Sequence, residues 1–316
     1  MLTQDVRLQR RLARRRRAKR RRLGLVGLLL AALGVGLFFG LGNGSGKVRR
    51  TGAERGKTVT VDVSQGVAPP PVHRETKITR LSLPATLPAR TLSVPILMYH
   101  RIDVLRPTLP AITRSLTVDP GDFARQMRWL HAHGYRTVTQ AQLFSALERR
   151  SRLPAKPVLI TFDDGYRDVL AKAAPVLRRL GMKATAYVIT SRISNGDVSF
   201  LAWPQLRLLE QDGIEIGSHT VHHSELPGLS DPAALQELIQ SRRALEAHLH
   251  HPVQWFAYPA GRFDDRSEGL VRQAGYVLAV TTQPGSTQDA RQPFALHRYE
   301  VLDTTGVRGL ASLLRR

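Results

Sequence analysis

The chain has 316 residues, 42% of them hydrophobic, with no cysteine and a formal net charge of +22 at pH 7. The missing cysteines exclude disulfides and thiolate metal sites. The charge suggests a nucleic-acid partner, but its distribution excludes one for most of the chain. Residues 1–22 carry eleven Lys or Arg against Asp5 alone, whereas from Thr91 onward 27 basic residues face 21 acidic ones.

The basic tail leads into "LGLVGLLLAALGVGLFFGLG" at 23–42. About twenty apolar residues, at about 1.5 Å each, cross a hydrocarbon core of about 30 Å. This run is longer than the core of a cleaved signal peptide, and no A-x-A pattern follows it. The expected organisation is a cytoplasmic tail (1–22) and a single transmembrane anchor (23–42) in the cytoplasmic membrane. The Arg cluster near anionic lipid keeps the N-terminus inside and places everything beyond Gly42 outside the cytoplasm. Residues 43–90, rich in Gly, Pro, Ser and Thr and stiffened by Pro69–Pro71, read as a linker.

From Thr91 to the end, strand-like and helix-like stretches alternate. The strand-like runs are "VPILMY" (94–99), "PVLITF" (157–162), "KATAYVIT" (183–190), "GIEIGS" (213–218), "VQWFAY" (253–258) and "YVLAVTT" (276–282). Between them, stretches such as "YRDVLAKAAPVLRRLG" and "DPAALQELIQSRRALEAHLH" repeat apolar residues at three and four. The alternation predicts a single α/β domain over 91–316, a parallel sheet covered by helices, closed or open. In either form the functional groups gather beyond the C-terminal ends of the strands. His100, Asp163–Asp164, His219 with His222 and His223, and the "YPAG" turn all fall at such ends.

Those groups form a recognisable donor set. Two imidazoles four apart, His219 and His223, together with an Asp from another strand end, leave coordination positions open for water and substrate. Zn²⁺ suits that set, and so does the Fe(II) of the non-haem oxygenases. "TFDDG" carries one Asp more than a turn or helix cap needs. Adjacent carboxylates repel, but a divalent cation offsets the repulsion, so one Asp can bind metal while its neighbour takes a proton from water. An oxygenase has no role for the second Asp.

"TFDDGY", "HTVHH" and "FAYPAGRFDD" resemble the first three motifs of the NodB-like polysaccharide deacetylases, carbohydrate esterase family 4, over residues 94–302. The resemblance implies an irregular (β/α) barrel of about seven parallel strands. It also implies metal-dependent removal of acetyl groups from a polysaccharide, with Zn²⁺, Co²⁺ or Ni²⁺ as cofactor. By that resemblance Asp163 is the general base, and Asp164, His219 and His223 bind the metal. His222 lies outside the ligand set. Ala257 falls where many members carry an Arg that orients the base, and Ala260 falls at a Tyr whose backbone N–H serves the oxyanion. Arg298, in "FALHRYEV", is the candidate to replace that Arg, with a purely structural salt bridge as its alternative.

For the general acid two histidines compete. His297 sits near the family's late Leu-x-His position. His100 ends a "MYH" strand, as in the branch resembling poly-N-acetylglucosamine and peptidoglycan N-acetylglucosamine deacetylases, and is preferred. Tyr166, Trp203 and Tyr258 are candidate sugar-stacking rings. The partners expected are a polysaccharide and the membrane, with no nucleic acid and no protein. The rival readings are a catalytically inactive glycan-binding domain of the same fold and an O-acetyl xylan esterase.

Overall fold

The computed structural model describes residues 80–315 except Asn195. The basic tail, the apolar run 23–42 and most of the proposed linker lie outside the described residues. The strands are β1 (Thr91–Ser93), β2 (Ile96–Tyr99), β3 (Arg101–Ile102), β4 (Thr117–Val118), β5 (Arg136–Thr137), β6 (Pro157–Phe162), β7 (Ala184–Val188), β8 (Ile214–Ser218), β9 (Trp255–Ala257), β10 (Leu278–Val280), β11 (Thr287–Asp289) and β12 (Tyr299–Glu300). The main sheet runs β10-β9-β8-β7-β6-β2-β12, with β5 attached to β6. All of its pairings are parallel. Each apolar run read from the sequence holds one of its strands, and "PVLITF" coincides with β6.

Side chains along a strand point alternately to its two faces, and this sorts the apolar residues into two layers. Leu97, Ile160, Phe162, Ala186 and Ile216 face outward, into a cluster with Phe123, Met127 and Leu130 of the helix Pro120–Ala132. Ile96, Leu159, Tyr187, Trp255, Ala257, Val280 and Leu296 face the other way and fill the inside of the curved sheet. Burial on both faces explains why these strands read as continuous apolar runs.

The architecture is a half-barrel of parallel strands whose open side is spanned by one segment. Leu296 donates its N–H to Ala279 and accepts from Thr281, beside β10. A few residues later β12 pairs Tyr299 with Leu97 and Glu300 with Met98 of β2.

The helices show why their sequences fold as they do. Asp231–Leu249 buries Ala234, Leu238, Ser241, Leu245 and Leu249, a stripe of threes and fours, and ends on His250 in the left-handed conformation. The stretch expected to form one helix over 166–181 is instead a π-turn, Val169–Ala173, followed by an α-helix, Ala174–Arg179. Pro175 lacks the N–H that would continue the α-helical ladder at that point. Leu81, Leu83 and Leu87, within the proposed linker, pack on the domain. Gln254 fastens them by accepting from the Leu81 N–H (2.8 Å) and donating to its C=O (2.6 Å).

Candidate active site

The alternation that turns Leu159 inward also turns Thr161 and Asp163 inward, at the C-terminal end of β6. His219 follows β8 with the same parity, and Met98 and His100 do so at β2. These side chains meet at one mouth. Met98, His100, Asp163 and His219 line a cleft of about 400 Å³ together with Ile112, Leu116, Asp164, His223, Tyr258, Ala260, Gly261, Thr282 and Glu300.

Asp163 is almost fully buried, and so is Arg298, which reaches it from the spanning segment. The guanidinium grips the carboxylate with both ends, Nη1 to Oδ1 and Nη2 to Oδ2, each at 2.7 Å. Two further donors go to the Thr281 carbonyl (Nε, 2.7 Å) and Thr161 Oγ1 (Nη1, 3.1 Å), which brace the fork in place. Burial alone would raise the Asp163 carboxyl, but the charge and hydrogen bonds of Arg298 outweigh it and hold the group below the ordinary carboxylate range. The two readings of Arg298 are thus one: it forms a buried salt bridge, and its partner is the proposed base.

Asp164, His219 and His223 present one ligand atom each within 4.8 Å of one another. His219 Nε2 and His223 Nε2 lie 3.5 and 3.6 Å from Asp164 Oδ1. The His219 Nδ1–H donates to the Ala257 carbonyl at 2.7 Å, which leaves the Nε2 lone pair facing Asp164. Two imidazole nitrogens and a carboxylate oxygen, one ring fixed from behind, fit a borderline divalent ion such as Zn²⁺, Co²⁺ or Ni²⁺. At Ala257, where the resemblance puts an arginine, the backbone carbonyl orients His219 instead.

The local backbone is strained where the site needs it. Asp164 (φ 74°), Thr220 (φ 65°), His223 (φ 61°) and Ala260 (φ 53°) all adopt left-handed conformations without being glycine. Each costs on the order of 1–2 kcal/mol and is held by its surroundings. Gly261 next to Ala260 tolerates no side chain, since a Cβ there would stand 2.0 Å from Thr282 Oγ1.

The other sequence-derived candidates separate clearly. His100 lines the cleft, and its buried Nδ1 has no hydrogen-bond partner among the described residues. His297 does not line the cleft. It has the opposite parity to Arg298, rests against Gly285, and its backbone is held by Gln288. His222 points outward and bonds Glu237 at 2.7 Å. Tyr166 lies beside the cleft rather than in it, stacked on Phe200 with the Arg101 guanidinium 4.9 Å from its ring. Burial first, then the Asp164 carboxylate, pushes its hydroxyl up to about 12. Tyr258 borders the cleft, but its ring packs in the outer layer against Phe256 and Phe263. Trp203 stacks on His248 and is a packing residue. Sequence reasoning passed over Glu300, although its spacing of two from Arg298 puts it on the same face.

The fold agrees with the proteins the chain resembles. The family model for polysaccharide deacetylase matches residues 150–279. YxkH of Bacillus subtilis, which carries the polysaccharide deacetylase name, is 36% identical over 208 residues, covering 66% of this chain and 71% of that protein. A poly-β-1,6-N-acetyl-D-glucosamine N-deacetylase of Staphylococcus aureus is 22% identical over 174 residues, 51% of this chain and 60% of that one. The solved structure of the Streptococcus pyogenes deacetylase PplD in complex with acetate superposes with a TM-score of 0.66 at 30% identity, covering 71% of this chain and 99% of PplD. The chain belongs to the polysaccharide deacetylase family. It is a hydrolase of that class.

Proposed function

We propose that this protein is a metal-dependent N-deacetylase that removes acetyl groups from an N-acetylglucosamine-containing polysaccharide, an exopolysaccharide or peptidoglycan. It works outside the cytoplasmic membrane, anchored by residues 23–42. The observation that carries the reading is the meeting in one cleft of the Asp164–His219–His223 donor set with a separate carboxylate, Asp163, gripped by Arg298. A binding module needs no such second carboxylate. The similarity to the Staphylococcus aureus enzyme supports the choice of sugar.

Asp164 Oδ1, His219 Nε2 and His223 Nε2 would hold the metal. When bound, such an ion polarises the acetyl carbonyl and lowers the pKa of a water. The Asp163 carboxylate, fixed by Arg298, accepts a proton from the attacking water. The Ala260 N–H, in its left-handed turn, donates to the tetrahedral oxyanion. His100 protonates the departing sugar amine, which leaves only as the neutral amine.

The test is acetate release from N-acetylglucosamine oligomers by the full chain, as purified, after chelation, and after Zn²⁺ is restored. Asp163→Asn serves beside it. The reading expects release that disappears with chelator, returns with metal and is absent in the variant. Release indifferent to chelation would remove the metal from the mechanism.

A further inference from the structure

One charged group in the cleft has no part in the chemistry above. Glu300 ends β12, beside Met98 of β2, and lines the cleft with an exposed side chain. It follows two residues after Arg298, the residue that holds Asp163 just before β12 begins. The Glu300 side chain makes no hydrogen bond or ion pair among the described residues. Among the described residues, no lysine or arginine lines the cleft. The charge of Asp163 is met by Arg298, and Asp164 faces His219 and His223. Among the described residues, nothing meets the negative charge of Glu300.

The reaction itself supplies a matching cation. Each acetyl group removed leaves a sugar amine, a base that takes up a proton near neutral pH, as an α-amino group does. We propose that Glu300 is a subsite carboxylate that pairs with the ammonium of an already deacetylated sugar flanking the one under attack, so that partly deacetylated chains are preferred over fully acetylated ones. The proposal rests on the N-deacetylase reading for its substrate. A carboxylate there also repels glycans that carry acidic groups, which makes Glu300 a selector against anionic polymers.

The experiment compares kcat/KM of the full chain on an N-acetylglucosamine tetramer and on the same tetramer with one sugar deacetylated. Wild type, Glu300→Gln and Glu300→Lys are measured at low and high salt. Any loss common to both substrates cancels in the ratio. An exposed ion pair predicts that Glu300→Gln lowers the preference for the partly deacetylated chain roughly two- to fivefold. Glu300→Lys reverses the preference, and salt weakens it in wild type. An unchanged ratio in Glu300→Gln overturns the proposal, as does an equal loss on both tetramers, which would mark a contact to a sugar hydroxyl. A second measurement needs no turnover: the dissociation constant of a fully deacetylated glucosamine tetramer rises in Glu300→Gln by a similar factor. Should wild type release no acetate from either tetramer, the deacetylase reading falls, and the binding measurement alone decides Glu300.

Discussion

Arg298 holds both carboxylate oxygens of Asp163 at 2.7 Å across 135 residues of chain. Arg298→Met leaves Asp163 buried and unpaired, which costs on the order of 3–5 kcal/mol of stability. It also frees the proposed base to rotate, with an expected loss in kcat of about a hundredfold or more. Arg298→Lys keeps the charge but not the fork and is expected to lose less on both counts. Urea unfolding and steady-state kinetics of the two variants check this, and equal effects of Met and Lys would mean the two-pronged geometry is irrelevant.

Beneath that pair lies the Tyr187 ring, whose centroid is 5.8 Å from the Arg298 guanidinium carbon. Gly217 on the neighbouring strand makes room for it, since a Cβ there would stand 2.5 Å from the ring. Gly217→Ala must push Tyr187 aside, at a cost of about 1–3 kcal/mol. Because the ring supports Arg298, kcat is expected to fall while KM holds. An unaltered unfolding midpoint would show that the space is not needed.

His100 and His297 can be told apart by their leaving groups. His100→Ala is expected to lose about 10²–10⁴-fold on N-acetyl substrates, where the amine must be protonated, and far less on an activated acetate ester. His297→Ala is expected to stay within a few-fold of wild type on both, since its side chain faces away from the cleft. The opposite ranking would move the acid to the late histidine.

The foot of the half-barrel holds a different carboxyl. Glu215 on β8 accepts from the Gln140 N–H (2.7 Å) at the start of the helix Gln140–Leu147, and from Thr185 Oγ1 (3.3 Å). Burial pushes it up to about 7 from an ordinary 4.5, and the Gln140 and Ala141 N–H groups pull it only part of the way back. Between those two values the folded protein keeps a proton that the unfolded chain has released, so stability is lost as pH rises through that window. Glu215→Gln has no proton to lose. Its stability relative to wild type is expected to grow by up to about 3 kcal/mol between pH 4.5 and 8 in urea melts. A difference that stays flat across that range would refute the raised value.

The long elements were legible because each carries its own signal. The six apolar runs announced the strands of the sheet, and Asp231–Leu249 showed its stripe. What escaped was structure fixed by distant partners. β3, β4, β5 and β12 are two residues each, too short for any period, and exist because a neighbouring strand offers its edge. The helix Gln140–Leu147 was passed over although Thr139 and Gln142 spell out its capping box. At the site, the residue types and their strand-end positions revealed Asp163, Asp164, His219, His223 and His100. Arg298 was already a candidate partner for Asp163, and the structure pairs the two; only the two-pronged geometry, set by the register of the spanning segment, has no local pattern. The side chains of the neighbours His297 and Arg298 part company, one against Gly285 and the other on Asp163.

The spanning segment has a consequence for the order in which the chain is made. Asp163, Asp164, His219 and His223 all emerge from synthesis well before Leu296–Glu300, yet Asp163, the proposed base, lacks Arg298 until that segment seats between β10 and β2. A chain released before Leu296 keeps every proposed metal ligand but buries Asp163 without its counter-charge. The donor set can therefore assemble early while the hydrolase stays silent, and activity waits on the final strand.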